Sequence, residues 1–153
     1  MLGRLQGELS RRAPDSTVVA RIGLGLTILL AGVHKLLAPD AWTVYVVDWL
    51  APWLVVSPVA FMLANGVLEV AVGLALLLDR YTAFAAAVVA VSLTATVAYL
   101  ALAALTGDGP FVDALVRDVG LTALAWVVLF EAVRGTEGRS GPSSERSRRD
   151  GSE

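Results

Sequence analysis

The sequence predicts an all-α protein: a four-helix transmembrane bundle with a short interfacial helix between helices 1 and 2. Three observations predict it. Four apolar runs lie along the 153 residues, and each is close to the ~20 residues that cross a hydrocarbon core as a helix. The chain is 56% hydrophobic and 17% charged, with a mean hydropathy of +0.69, which is too apolar for a water-soluble domain of ordinary make-up. Arginines flank the runs on one side and aspartates on the other, the asymmetry that fixes orientation in a membrane. Lipid offers backbone amides no hydrogen bonds, so such runs span as helices rather than open strands.

The first run, residues 17–37, carries Arg21, His34 and Lys35. Residues 1–16 before it hold Arg4, Arg11 and Arg12 mixed with Glu8 and Asp15. They lack a compact apolar core ahead of a cleavage site and read as a basic cytoplasmic segment, not a cleaved signal. The second run, 57–78, contains one acid, Glu69, and the third, 81–105, contains no charge. The fourth, 114–133, contains Arg117, Asp118 and Glu131. Residues 38–56 and 106–113 have no Lys or Arg, only Asp40, Asp48, Asp108 and Asp113, whereas Arg134, Arg139, Arg146, Arg148 and Arg149 follow the last run. The expected protein is therefore multi-pass in the cell membrane, with both termini cytoplasmic and the acidic loops outside. The "DRY" link at 79–81 is the inner turn. The 134–153 segment is Ser- and Gly-rich and mixed in charge, and is expected to be a disordered cytoplasmic tail.

Between the first two runs, "DAWTVYVVDWLAPWL" places Trp42, Tyr45, Trp49 and Trp53 three, four and four residues apart. That spacing collects them on one face of a helix, and Trp and Tyr favour the headgroup level. The reading is an interfacial helix, serving as an outer-leaflet anchor or as a cap over a ligand cleft.

The polar residues inside the runs are the candidate functional groups. At a rise of about 1.5 Å per residue, Lys35 and His34 lie about 27 and 25 Å up the first helix, and Arg117 and Asp118 about 24 and 22 Å up the fourth. The quartet shares an outer layer. Near the inner end, Arg21 and Glu131 lie at about 6 and 3 Å and are expected to pair. Glu69 lies about 13 Å up the second helix, with Asn65 one turn above. An ionisable group at that depth is costly unless it is paired or protonated. It is either neutral or ionised beside a long arginine such as Arg21, and serves as a structural hydrogen-bonding group or as a proton- or ligand-handling carboxylate. Arg21, Gly25, Gly32 and Lys35 form one stripe of the first helix, and Gly66 and Gly73 recur on the second. Small residues of this kind let helices approach in lipid. The lone His34 sits at the edge of that stripe, where it could donate to Asp118 or to a ligand.

Composition excludes several classes. The chain has no cysteine, so disulfides, thiolate metal sites and CxxC redox chemistry are absent. One histidine cannot supply a bis-histidine haem within one chain, and no metal site is expected. A formal net charge of −2 gives no basic surplus for nucleic acid.

"RIGLGLTILLAGVHKLLAP" at 21–39, "NGVLEVAVGLALLLDRYTAFAA" at 65–86 and "RDVGLTALAWVVL" at 117–129 together resemble the DoxX family of small four-helix membrane proteins. The resemblance covers residues 18–133. Arg21, Gly32 and Lys35 match its first-helix pattern, Gly66, Glu69 and Gly73 its second, and Arg117, Asp118, Gly120 and Leu121 its fourth. It implies a subunit or accessory of a quinone-linked oxidoreductase, of the thiosulfate or quinol type. Because the chain has no redox group of its own, electrons would come from a partner subunit. On this reading His34, Lys35, Asn65, Glu69, Arg117 and Asp118 form a candidate quinone site. The expected partners are the lipid bilayer and a redox subunit, with a homo-oligomer left open. Two other classes are carried: a small proton-coupled transporter using Glu69, and a structural scaffold for a partner enzyme.

Overall fold

The computed structural model describes residues 14–106 and 109–139. The N-terminal arginines up to Arg12, Asp108 and the tail beyond Arg139 lie outside the described residues. The described chain is all-helical, with no strand. Four α-helices follow one another: α1 Ser16–Leu37, α2 Pro58–Leu77, α3 Thr82–Thr106 and α4 Phe111–Arg139. Among the described residues, α1, α2 and α3 are long and apolar enough to cross a membrane.

Local chemistry sets the ends. The Asp15 carboxylate accepts the Thr17 amide at the start of α1 (2.8 Å), a side-chain N-cap. Ser57 caps α2 by accepting from Ala60 N–H, and Pro58 occupies the first helical position, where a missing N–H costs nothing. In the inner turn Asp79 and Tyr81 take positive φ, and the Asp79 carboxylate accepts the Thr82 hydroxyl at the head of α3. The fourth helix runs past the expected end at 133 to Arg139. Residues 134–139 are therefore helical rather than disordered. Arg134 binds Glu131 one turn back at 2.8 Å, and no proline stops the helix before residue 139.

The interfacial helix is corrected. Residues 38–57 form two short 3-10 segments, Pro39–Tyr45 and Ala51–Trp53. Pro52 has no N–H to donate and breaks a continuous α-helix between Trp49 and Trp53, and the stretch is built from two short 3-10 turns instead. The single aromatic face fails with it, because its spacing presumed an unbroken helix of 3.6 residues per turn. Trp42 and Tyr45 stay together, with ring centroids 6.0 Å apart. Trp49 instead packs on Tyr99 at 5.8 Å and donates to the Thr106 hydroxyl, while Trp53 is 83% exposed.

The four helices form two tight pairs, α1 with α2 and α3 with α4, joined by much sparser contacts. Glycines make the first pair. A Cβ on Gly32 would fall 2.8 Å from the Gly66 carbonyl and from Val70 N, and one on Gly73 would fall 2.7 Å from Leu29 N. Backbone meets backbone there, and no larger residue fits. Alanines make the second pair: Ala85, Ala86, Val89 and Ala90 of α3 pack with Ala125 and Val128 of α4. A second apolar cluster of Leu100, Ala103, Phe111 and Ala114 closes the outer end, with Tyr45 and Tyr99 against it.

Candidate functional site

Where the two pairs meet, the bundle forms a partly open cavity of about 610 Å³, within the range of small-molecule sites. Ile28, Val72 and Val89 form an apolar floor, shared with the inner core. Trp42, Tyr45 and Tyr99 stand at its outer end, where the Tyr99 hydroxyl donates to the Tyr45 carbonyl and accepts from Val47 N–H. These bonds tie the loop to α3. All six expected site residues, His34, Lys35, Asn65, Glu69, Arg117 and Asp118, line this one cavity.

Their pairing differs from expectation. Lys35 binds Glu69 through Nζ and Oε1, forming an ion pair with side chains 12% and 23% exposed. It was expected to lie in a layer with Asp118, about 14 Å above Glu69 on the helix-rise estimate. The α1–α2 register explains the difference. Gly32 abuts Glu69, Gly66 abuts Lys35, and Gly25 abuts Leu76 and Leu77. The first turns of α1 therefore project beyond the inner end of α2, and depths counted from each helix's own start are offset.

The same register corrects the inner pair. Arg21 bonds the Leu76 carbonyl and lies 3.6 Å from Asp79, level with the turn after α2, while Glu131 pairs with Arg134. The expected Arg21–Glu131 pair does not form. Arg21 instead serves as a cation at the carbonyl end of α2, where the helix dipole favours it.

Asp118, only 5% exposed, accepts from Nε of its neighbour Arg117 at 2.8 Å rather than from Lys35 or His34. His34 does not donate to Asp118. Its Nδ1 accepts the Trp42 indole N–H at 2.9 Å, and the Lys35 ammonium sits 4.5 Å over the Trp42 ring, a cation–π contact. Asn65 donates back to the Phe61 carbonyl of its own helix. Glu69 Oε2 is a buried acceptor with no protein hydrogen-bond partner.

Two participants were missed. Tyr99 is one of two tyrosines in the third run and the one at its outer end, and that phenol beside the aromatic loop was its signal. Asp79 is the acid one residue before Arg80 in the inner turn, and only the helix register could have matched it to Arg21.

What the fold and the site define is a helical membrane protein with a polar-sided cavity inside its bundle. The DoxX family profile matches residues 16–104, more than half of the chain, and the chain belongs to the DoxX family. The match takes in α1, the loop, α2 and nearly all of α3. It stops short of 117–129, so Arg117, Asp118, Gly120 and Leu121 lie outside it. No curated protein and no solved structure matches the chain.

Proposed function

We propose that this DoxX protein is an integral membrane subunit or accessory of a quinone-linked oxidoreductase, and that the cavity receives the quinone headgroup. One observation carries the reading: a cavity of ligand size with an apolar floor and, to one side, two ion pairs and a histidine. The charges offset one another, so the patch suits a neutral head rather than an ion. Its unused groups are mostly donors. With Nδ1 accepting from Trp42, a neutral His34 carries its proton on Nε2. Arg117 commits Nε to Asp118 and keeps its terminal nitrogens, and Lys35 has three protons for one carboxylate oxygen. A quinone presents two carbonyl acceptors and no ring donor, which complements such a set. When bound, it supplies two-electron, two-proton carrier chemistry for a partner enzyme. The bundle's own residues orient the head, exclude water and hold a proton at a carbonyl oxygen through His34 or Lys35. The orientation that accompanies this reading has both termini in the cytoplasm.

The test is binding of a short-chain quinone analogue to purified protein. His34→Ala and Arg117→Met are each expected to weaken it about tenfold or more, the worth of a hydrogen bond from a charged or buried donor. Unchanged binding in both variants contradicts the proposal. A proton-coupled transporter has one observation in its favour, the partnerless Glu69 Oε2. Substrate-driven proton release that disappears in Glu69→Gln would decide for that reading.

A further inference from the structure

The cavity has a side door. Helices α2 and α3 run antiparallel from the turn at Arg80, and their cavity-lining residues are matched across it. Phe61 and Tyr99, Asn65 and Ala95, Leu68 and Ser92, and Val72 and Val88 are pairs equidistant from Arg80, and all eight line the cavity. On each helix they recur at four, three and four residues, which is one continuous stripe. The two stripes face a common gap, yet α2 and α3 make far fewer contacts than either tight pair. At the middle levels Leu68, Ser92 and Ala95 are exposed as well as lining the cavity. A residue that both lines a cavity and reaches the outer surface marks an opening, and at this depth the surroundings are acyl chains.

The opposite seam, between α1 and α4, also has exposed lining, at Thr27, His34 and Arg117. It differs in chemistry at its outer end, beside the headgroup site, where it presents a guanidinium and an imidazole, whereas the α2–α3 gap presents leucine, serine and alanine. Hydrocarbon is excluded from that charged outer end and accepted by the α2–α3 gap. The α2–α3 gap also lacks the glycine contacts that close α1 onto α2, and the core that joins its walls, Val72 and Leu76 with Ala85 and Val89, lies at its inner end.

Resting on the reading of the cavity as a quinone-headgroup site, we infer that the ligand is a membrane-resident amphiphile that passes sideways through the α2–α3 gap. Its head lies beside the Lys35–Glu69 and Arg117–Asp118 pairs, and its hydrocarbon tail leaves between Leu68 and Ser92–Ala95 into the bilayer. Tail length is then unlimited by the 610 Å³ cavity. Ser92 and Ala95 set specificity by being small.

The experiment compares a tailless quinone analogue with a long-tailed one on protein in nanodiscs, unsubstituted and as Ser92→Trp and Ala95→Trp. Both positions are exposed, so the indole is tolerated by the fold. The long-tailed analogue is expected to lose about tenfold or more in affinity, because an overfilled gap excludes its chain, while the tailless analogue stays within about twofold. A long-tailed analogue with a photoreactive group near its head, bound to the unsubstituted protein, should attach to Leu68, Ser92 or Ala95. Equal effects on both analogues, or attachment at Thr27 or Arg117, overturn the side door and leave the headgroup site standing. Failure of the tailless analogue to bind unsubstituted protein overturns the proposed function, and the side door with it.

Discussion

At the scale of single residues, the costliest feature of the chain is also the best compensated. A lysine and a glutamate at membrane depth are expensive alone, and they meet each other across the α1–α2 interface with the Trp42 ring over the ammonium. Removing one partner leaves an uncompensated buried charge, whereas removing both leaves none. Lys35→Met is therefore expected to destabilise by about 3 kcal/mol, and adding Glu69→Leu should recover most of the loss. Thermal unfolding in detergent checks the order of the three proteins, and a double variant less stable than Lys35→Met contradicts the pairing. The six polar residues expected to share a site were legible in the sequence, because an ionisable or amide side chain in an apolar run is conspicuous, and all six line the cavity. Their partners were not. Pairing depends on helix register and on a long side chain's reach, and neither is written in one helix alone.

At the scale of elements, the α1–α2 interface is set by glycines whose missing side chains the neighbouring backbone occupies. Gly32→Leu or Gly73→Leu should force the helices apart and cost about 1–3 kcal/mol, the ordinary penalty of overpacking. Gly23 has nothing within 4 Å of an added Cβ, so Gly23→Ala should be neutral or stabilising by about 0.5–1 kcal/mol, through helix propensity alone. Thermal unfolding of the three variants separates these outcomes, and equal effects at Gly23 and Gly73 would refute the interface. The glycine stripe was legible because its spacing repeats on one helical face. The loop was misread because a three-four-four aromatic spacing asks for an unbroken helix and Pro52 lies inside it. The missing amide of Pro52, inside the stretch, cut off Trp53, and the 3-10 turn Pro39–Tyr45 undid the rest of the periodicity.

At the scale of the whole molecule, two glycine- or alanine-bonded helix pairs meet loosely, and the cavity is the space that loose meeting leaves. The helical class was legible from run length and composition. The division into pairs was not, since all four helices are apolar on several faces and amphipathicity does not single out neighbours. The orientation read from arginines can be checked directly, because the chain has no native cysteine. Asp48→Cys should react with an impermeant thiol reagent applied to intact cells, and Arg80→Cys only after lysis. The reverse pattern inverts the topology. The central claim, that the intramembrane cavity holds a quinone, is tested most directly by extracting and quantifying lipids from the protein purified out of its native membrane. The account predicts about one quinone per chain, reduced at least tenfold in the His34→Ala, Arg117→Met double variant. Quinone no more abundant than in the bulk membrane lipid, in both proteins alike, would contradict it.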